Sequence, residues 1–170
     1  MKISIKRLTP KNEEEFFDFV KRQEENDLNF FTRWKESLNS EKLLKNFVNK
    51  ECNKKEKDGI RIVAKSSDGQ IYGLGLVDFF KSLNKKHVAI VGTIVDKKIR
   101  GKGIGKQLLH EEIKIGKKFS KKKLRATVHE HNVESMNLHL SAGFKIEGKF
   151  IAEEFDGEYR NVMSLALFLD

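Results

Sequence analysis

The hydrophobic pattern predicts an α/β (α+β) sandwich, a mixed central sheet of about seven strands flanked by about four helices. Three observations carry this. Apolar runs with alternating or β-branched character recur along the chain, and between them lie segments whose apolar residues sit three and four apart. With a single proline, Pro10, and no low-complexity tract or linker, nothing divides the chain. Its 170 residues, close to the usual length of one domain, read as one unit spanning 1–170.

The elements follow in order. Ile3, Ile5 and Leu8 read as a short first strand. Thr9 and Pro10 open a helix, as N-cap and first helical residue, that runs through Phe16, Phe17 and Val20. Residues 28–34 have no clear period and read as a loop or short helix. Ser40 caps a second helix carrying Leu43, Leu44, Phe47 and Val48. Strands then cover 60–64 and 71–80, separated by the turn Ser67-Asp68-Gly69-Gln70, and a third covers 87–95. A helix over 103–118, a strand over 124–128 and a helix over 132–142 come next. A closing hairpin, 144–155 and 159–169, turns through Asp156-Gly157.

Composition narrows the class. Apolar residues are 38% of the chain, too few for a membrane protein, and no stretch approaches the roughly 20 needed to cross a bilayer. The amino terminus, Met1 to Arg7, alternates apolar and polar residues and lacks an apolar signal core, so a cytoplasmic location is expected. The one cysteine, Cys52, excludes an intrachain disulfide and a cysteine zinc cluster; it reads as an incidental thiol near a helix end. Lysine and arginine number 34 against 25 acids, a net +9 that attracts polyanions. The charge is dispersed, and no basic run is interleaved with aromatics, so a nucleic-acid platform is not expected.

The most informative junction is Val91-Gly92-Thr93-Ile94-Val95-Asp96-Lys97-Lys98-Ile99-Arg100-Gly101-Lys102-Gly103-Ile104-Gly105-Lys106, where a strand enters a glycine-rich turn that opens into a helix. Such a junction is an anion site: the first helical N–H groups have no intrahelical acceptor, and the helix dipole favours negative charge there. Glycine lets the backbone approach phosphate oxygens, and Arg100, Lys102 and Lys106 add cationic donors. A Walker loop would need Ser or Thr after Gly105-Lys106, and a dinucleotide fingerprint would need glycine at 106; neither is present.

The pattern that fits is R-x-x-G-x-G, on Arg100, Gly103 and Gly105. It resembles the cofactor motif of the GNAT superfamily of N-acetyltransferases. The resemblance implies that Arg100, Gly101, Lys102, Gly103, Ile104, Gly105 and Lys106 hold the pyrophosphate of acetyl-CoA. A second segment, Asn132 to Phe144, resembles the family's later N-x-x-(A/S)-x-x-L-Y-x-x-x-G-F element. Asn132, Ser135, His139 and Ala142 share one helical face, which the resemblance turns toward CoA, with Asn132 and Ser135 in contact. Val133, Met136 and Leu140 form another face, suited to core packing.

Further roles come from the same resemblance. Many members carry a tyrosine, as general acid toward the departing thiolate, where this chain has His139; imidazole can donate a proton. The general base is a carboxylate on the central strands, for which Asp78 is the candidate. N–H groups around Ile94 and Val95, on the splayed central strand, are the oxyanion donors. Glu112 interrupts the apolar side of the 103–118 helix and reads as an edge residue or ion-pair partner.

The implied activity is direct transfer of acetyl from acetyl-CoA to a primary amine, on a small molecule or a protein N-terminus, without a metal. The chain's tail is similar to the branch with ribosomal-protein N-terminal and small-amine acetyltransferases. Substrate contacts are expected from residues 28–36, with Phe30, Phe31, Trp34 and Glu36, and from Tyr159 on the final hairpin. A homodimer is one option for assembly. A non-catalytic CoA-binding or ribosome-associated module on the same fold is the rival reading.

Overall fold

Local signals start most of the elements. A computed structural model describes residues 2–24, 40–155 and 157–170; the substrate contacts expected at residues 28–36 lie outside these. The first strand is β1 (Ile3–Arg7). Thr9 then caps a 3-10 turn over Pro10–Asn12, where the Asn12 carboxamide oxygen accepts from the Thr9 N–H (3.2 Å) and hydroxyl (3.0 Å). The turn runs into α1 (Glu13–Glu24). Ser40 accepts from the Leu43 N–H at 3.3 Å and starts α2 (Glu41–Cys52), as an N-cap serine should.

Three antiparallel strands follow: β2 (Gly59–Ser66), β3 (Ile71–Phe79) and β4 (Val88–Val95). The remainder is α3 (Ile104–Lys118), β5 (Lys123–His129), α4 (Val133–Ser141), β6 (Lys145–Phe155) and β7 (Tyr159–Phe168). The strands form one seven-stranded sheet in the order β1-β2-β3-β4-β5-β7-β6. Only β4 and β5 run parallel among its pairs. Among the described residues this is a mixed seven-stranded sheet with four helices, as the pattern predicts.

Strand alternation sorts the core onto two faces. Leu74 and Ile94 pack with Phe16, Phe19, Val20, Phe47 and Val48 of α1 and α2. Val77 and Val91, three residues away on the same strands, join Leu109, Leu124, Phe144 and Leu165 on the α3 and α4 side. Each fully buried large apolar side chain contributes about 1.5–3 kcal/mol. The α1 stripe differs from the sequence reading. Phe19, one turn from Phe16 and stacked on it at 6.2 Å, is fully buried, whereas Phe17 only flanks the core. Leu43 in α2 is exposed, since Leu44, Phe47 and Val48 already fill the inward stripe. Cys52 is buried, and burial pushes its thiol up to about 12, consistent with an unreactive side chain.

The α4 faces match expectation in part: Met136 packs against the core as expected, but Val133, Leu140 and His139 do not take their expected sides. Val133 (62% exposed) and Leu140 face solvent, and His139 (2%) faces the core. Asn132 Oδ1 accepts from the Ser135 N–H at 3.0 Å and starts the helix, and packing on the core around Phe144 turns Met136, Leu138, His139 and Ala142 inward. His139 then meets Phe144 edge-on at 5.2 Å, a favourable aromatic geometry.

Candidate active site

The two central parallel strands separate. β4 pairs with β5 only from Val88 to Ile90, against Lys123 to Arg125, while β5 stays paired with β7 as far as His129. Beyond Ile90 the β5-facing edge of β4 has no strand partner among the described residues. Backbone alternation says which groups line that gap. The Asp96 N–H donates to Tyr72 O of the β3 side at 2.8 Å, so Ile94, two residues earlier, also directs its N–H toward β3. Thr93 and Val95 direct theirs into the gap. Of the two N–H groups expected as donors, only that of Val95 is suitably aimed.

The gap opens onto the start of α3. Asp96 accepts from the Lys98 N–H at 3.0 Å and closes a short turn over Lys97–Ile99. Gly101 and Gly103 then take left-handed conformations, with φ of 76° and 75°. A Cβ at either position would have no neighbour within 4 Å, so this stretch of backbone is open to an approaching ligand. The first helical bond runs from the Gln107 N–H to Gly103 O, which leaves the N–H groups of Ile104, Gly105 and Lys106 ahead of the ladder. The Arg100 Nε–H donates to Val95 O at 3.1 Å, so this guanidinium bridges the strand end and the turn.

A cavity of about 280 Å³ fills this corner. Of the residues predicted from sequence, Ile94, Val95, Arg100, Gly101, Gly103, Ile104, Gly105, Lys106, Asn132 and Ser135 all line it. Thr93, Glu134 and Leu138 line it as well and were not foreseen. Thr93 was legible as the alternate neighbour of Val91 and Val95; Leu138 depends on the rotation of α4. Lys102, on the exposed side of the turn, is not among the lining residues. An adjoining groove of about 520 Å³ between α3 and α4 shares Gly103, Lys106 and Leu138, so the site continues along the helices.

Two predicted residues sit elsewhere. Asp78 pairs with Ile90, at the closed end of the strand gap, and its carboxylate is held by Arg61 Nη2 at 2.9 Å and Lys54 Nζ at 3.1 Å. The His139 ring is also absent from the cavity wall. Its Nδ1 lies 2.8 Å from Ser135 O, a pure acceptor, so Nδ1 carries the hydrogen and Nε2 presents a lone pair. Burial holds the ring below the usual imidazole range, and it is neutral at physiological pH.

Glu112 corrects the sequence reading most sharply. It is neither an edge residue nor an ion-pair partner among the described residues; its exposure is 0%. It projects from α3 over β3, where a Cβ on Gly75 would stand 2.6 Å from Glu112 Oε1, so glycine there makes room for the carboxyl. Oε1 and the Thr93 hydroxyl oxygen are hydrogen-bonded at 2.9 Å, and Oε2 is buried without a hydrogen-bond partner. Burial pushes this carboxyl up to about 8, against smaller opposing effects of the Thr93 hydroxyl, the Leu76 backbone and the Arg61 charge.

A sequence model described as the acetyltransferase (GNAT) family matches residues 12–144. No curated protein matches the chain. Solved structures resemble it along its length. A ribosomal-protein-alanine N-acetyltransferase from Brucella melitensis is 24% identical, covering 98% of this chain and 99% of its own, with a TM-score of 0.82. An acetyltransferase of the GNAT family from Streptococcus pneumoniae is 21% identical, covering 99% and 100%, also at 0.82. A GNAT superfamily phosphinothricin acetyltransferase from Sinorhizobium meliloti, solved in complex with AcCoA, is 18% identical, covering 99% and 89%, at 0.83. At these identities the likeness to the solved structures is one of fold.

Proposed function

This chain belongs to the acetyltransferase (GNAT) family, and from that premise we propose that it transfers the acetyl group of acetyl-CoA directly to a primary amine, on a small molecule or a protein N-terminus. The observation that carries the reading is the left-handed glycine turn at the start of α3, set against the gap between β4 and β5. The site suits acetyl-CoA on its own chemistry. N–H groups ahead of the α3 ladder and an open glycine backbone match a diphosphate, and the connected cavity and groove match an elongated ligand.

Acetyl-CoA supplies a thioester, whose acyl carbon is the electrophile. Arg100, Gly101, Gly103, Ile104, Gly105 and Lys106 hold the pyrophosphate, with Lys102 outside the cavity on the exposed side of the turn, while Asn132 and Ser135 form the facing wall. The Val95 N–H, aimed into the gap, is the donor for a developing oxyanion; such a donor is worth roughly 2.7–4 kcal/mol where it has been removed in other enzymes. The enclosing strand and helix orient and dehydrate the amine.

Arg100→Ala is expected to weaken acetyl-CoA binding about tenfold or more, since a charge-assisted hydrogen bond is worth about 1.5–3 kcal/mol. Unchanged affinity in low-salt calorimetry would remove Arg100 from the phosphate site. His139 and Asp78 were the candidate acid and base, and for both we propose structural parts. With its hydrogen on Nδ1, His139 has none at Nε2 to give, and Asp78 is engaged with two cations. His139→Ala should therefore lower stability by about 2 kcal/mol or more, as buried large-to-small changes do, and leave turnover within a few-fold. A loss of about 10²-fold in kcat, the lower range for acid–base catalysis, would restore the catalytic role.

The activity itself is tested by calorimetry with acetyl-CoA, then by mass spectrometry of products from a panel of primary amines and N-terminal peptides. Thiol release with a matching acetylated product supports transfer. Tight binding with no product from any amine would favour the non-catalytic module.

A further inference from the structure

We propose that Glu112 and Thr93 form a two-residue proton relay that delivers a proton from the Thr93 hydroxyl into the cavity, where the thiolate released by acyl transfer is reprotonated; this rests on the acetyl-CoA reading above. Thr93 belongs to the cavity wall, and its hydroxyl oxygen is 2.9 Å from Glu112 Oε1. Behind it, Glu112 is sealed from water, so Thr93 is its polar link to the cavity.

The position of the proton follows from what each oxygen touches. Burial keeps Glu112 protonated at neutral pH, its carboxyl being pushed up to about 8. A hydrogen on Oε2 would be a buried donor with no acceptor, which costs about 1–3 kcal/mol. On Oε1 it donates to Thr93 Oγ1 instead. The Thr93 hydroxyl hydrogen is then free to turn toward the cavity, and the pair becomes a donor. When Glu112 ionises, the Thr93 hydrogen returns to Oε1 and the donor is lost.

The step balances without any redox partner. The Thr93 Oγ1–H bond breaks as S–H forms on the thiolate; the Glu112 Oε1–H bond breaks as a new Oγ1–H forms on Thr93. Glu112 ends as a carboxylate and is reprotonated between turnovers through Thr93, whose hydroxyl passes its hydrogen to Oε1 as it takes one from water in the cavity. A free thiol titrates near 8.5, close to the range of this carboxyl, so the transfer is nearly balanced in energy. Among the groups packed against Glu112, β4 presents Thr93 and β3 presents Gly75 and the Leu76 backbone, none of which titrates in this range. The charge that reaches it from β2 is Arg61, itself paired with Glu51 and Asp78.

In this scheme Thr93 meets the reacting sulfur and Glu112 is the positioning residue behind it. The test reads Glu112 directly. The 13C resonance of its carboxyl, assigned by its absence from Glu112→Gln, is titrated in the free protein and with CoA or desulfo-CoA bound. CoA should move the midpoint and desulfo-CoA should not, and Thr93→Val should abolish the difference while Thr93→Ser keeps it. In turnover, Glu112→Gln should lower kcat roughly 10²-fold with KM for acetyl-CoA little changed. It should also lose the decline of kcat above pH about 8 that ionisation of the wild-type relay produces. Equal midpoints with the two bound ligands, or an alkaline limb unchanged in Glu112→Gln, would overturn the relay alone. Absence of calorimetric binding by CoA and desulfo-CoA would overturn the acetyl-CoA reading and the relay with it.

Discussion

Replacing Gly103 with valine should weaken acetyl-CoA binding at least 100-fold while the fold persists. Gly103 holds φ at 75° as the N-cap of α3. A β-branched residue is a genuine outlier there, at a cost of roughly 1–3 kcal/mol. The chain has two responses, and both damage the site. If the turn keeps its shape, the valine methyls stand in the space now open above the backbone. If it relaxes, the N–H groups of Ile104, Gly105 and Lys106 lose their common aim. Each 1.4 kcal/mol is a tenfold change in affinity, so losing two phosphate hydrogen bonds of about 1.5–3 kcal/mol each reaches the stated effect. The position is exposed and no core atom approaches it, so circular dichroism should stay near wild type and the melting transition should remain cooperative, falling by roughly 2–12 °C from the strain. Undiminished calorimetric binding in a folded Gly103→Val protein would move the diphosphate site off this turn.

The second large effect concerns stability. Arg61→Leu is expected to cost about 3–5 kcal/mol, the range for breaking a buried ion pair from one side. Arg61 is only 4% exposed; its Nε is bound to the Glu51 carboxylate, its Nη1–H donates to Ile60 O at 3.2 Å, and its Nη2 reaches Asp78. Removing the guanidinium leaves Glu51 buried with its charge uncompensated. A typical domain has about 5–15 kcal/mol in total, so the shift should be plain in urea midpoints. The double variant Arg61→Leu with Glu51→Leu should recover much of the loss, because a well-packed apolar pair avoids the desolvation that the charges incur. A single-variant loss below about 1 kcal/mol would show that water or backbone shifts rescue Glu51.

The same network bears on how far residue types alone could be read. Asp78 is a carboxylate on a central strand, and by residue type it suits a general base. Its register opposite Ile90 sets it at the closed end of the gap, beside Arg61 and Lys54. Neither partner is near it in sequence, so nothing local to Asp78 announced them. His139 shows the same limit within one helix. Spacing grouped it with Asn132 and Ser135 on the face toward the cofactor, but only those two line the cavity; His139 is drawn inward onto Phe144, a contact that helix spacing does not reveal.

By itself the sequence determined the order of the elements, the caps at Thr9 and Ser40, and the glycine turn that opens α3. These rest on interactions among residues a few positions apart: apolar period, side-chain caps and the backbone freedom of Gly101 and Gly103. Only the tertiary structure decided where β4 parts from β5, which N–H groups face that gap, and that Glu112 lies beneath Thr93 with Gly75 making room for it. Strand register and helix rotation are set by contacts between segments far apart in the chain, and a shift of one residue in β4 would turn Thr93 to the opposite face. The ionisation of Glu112 follows from that packing as well, because the same carboxyl on an exposed face of α3 would stay close to the ordinary range for glutamate.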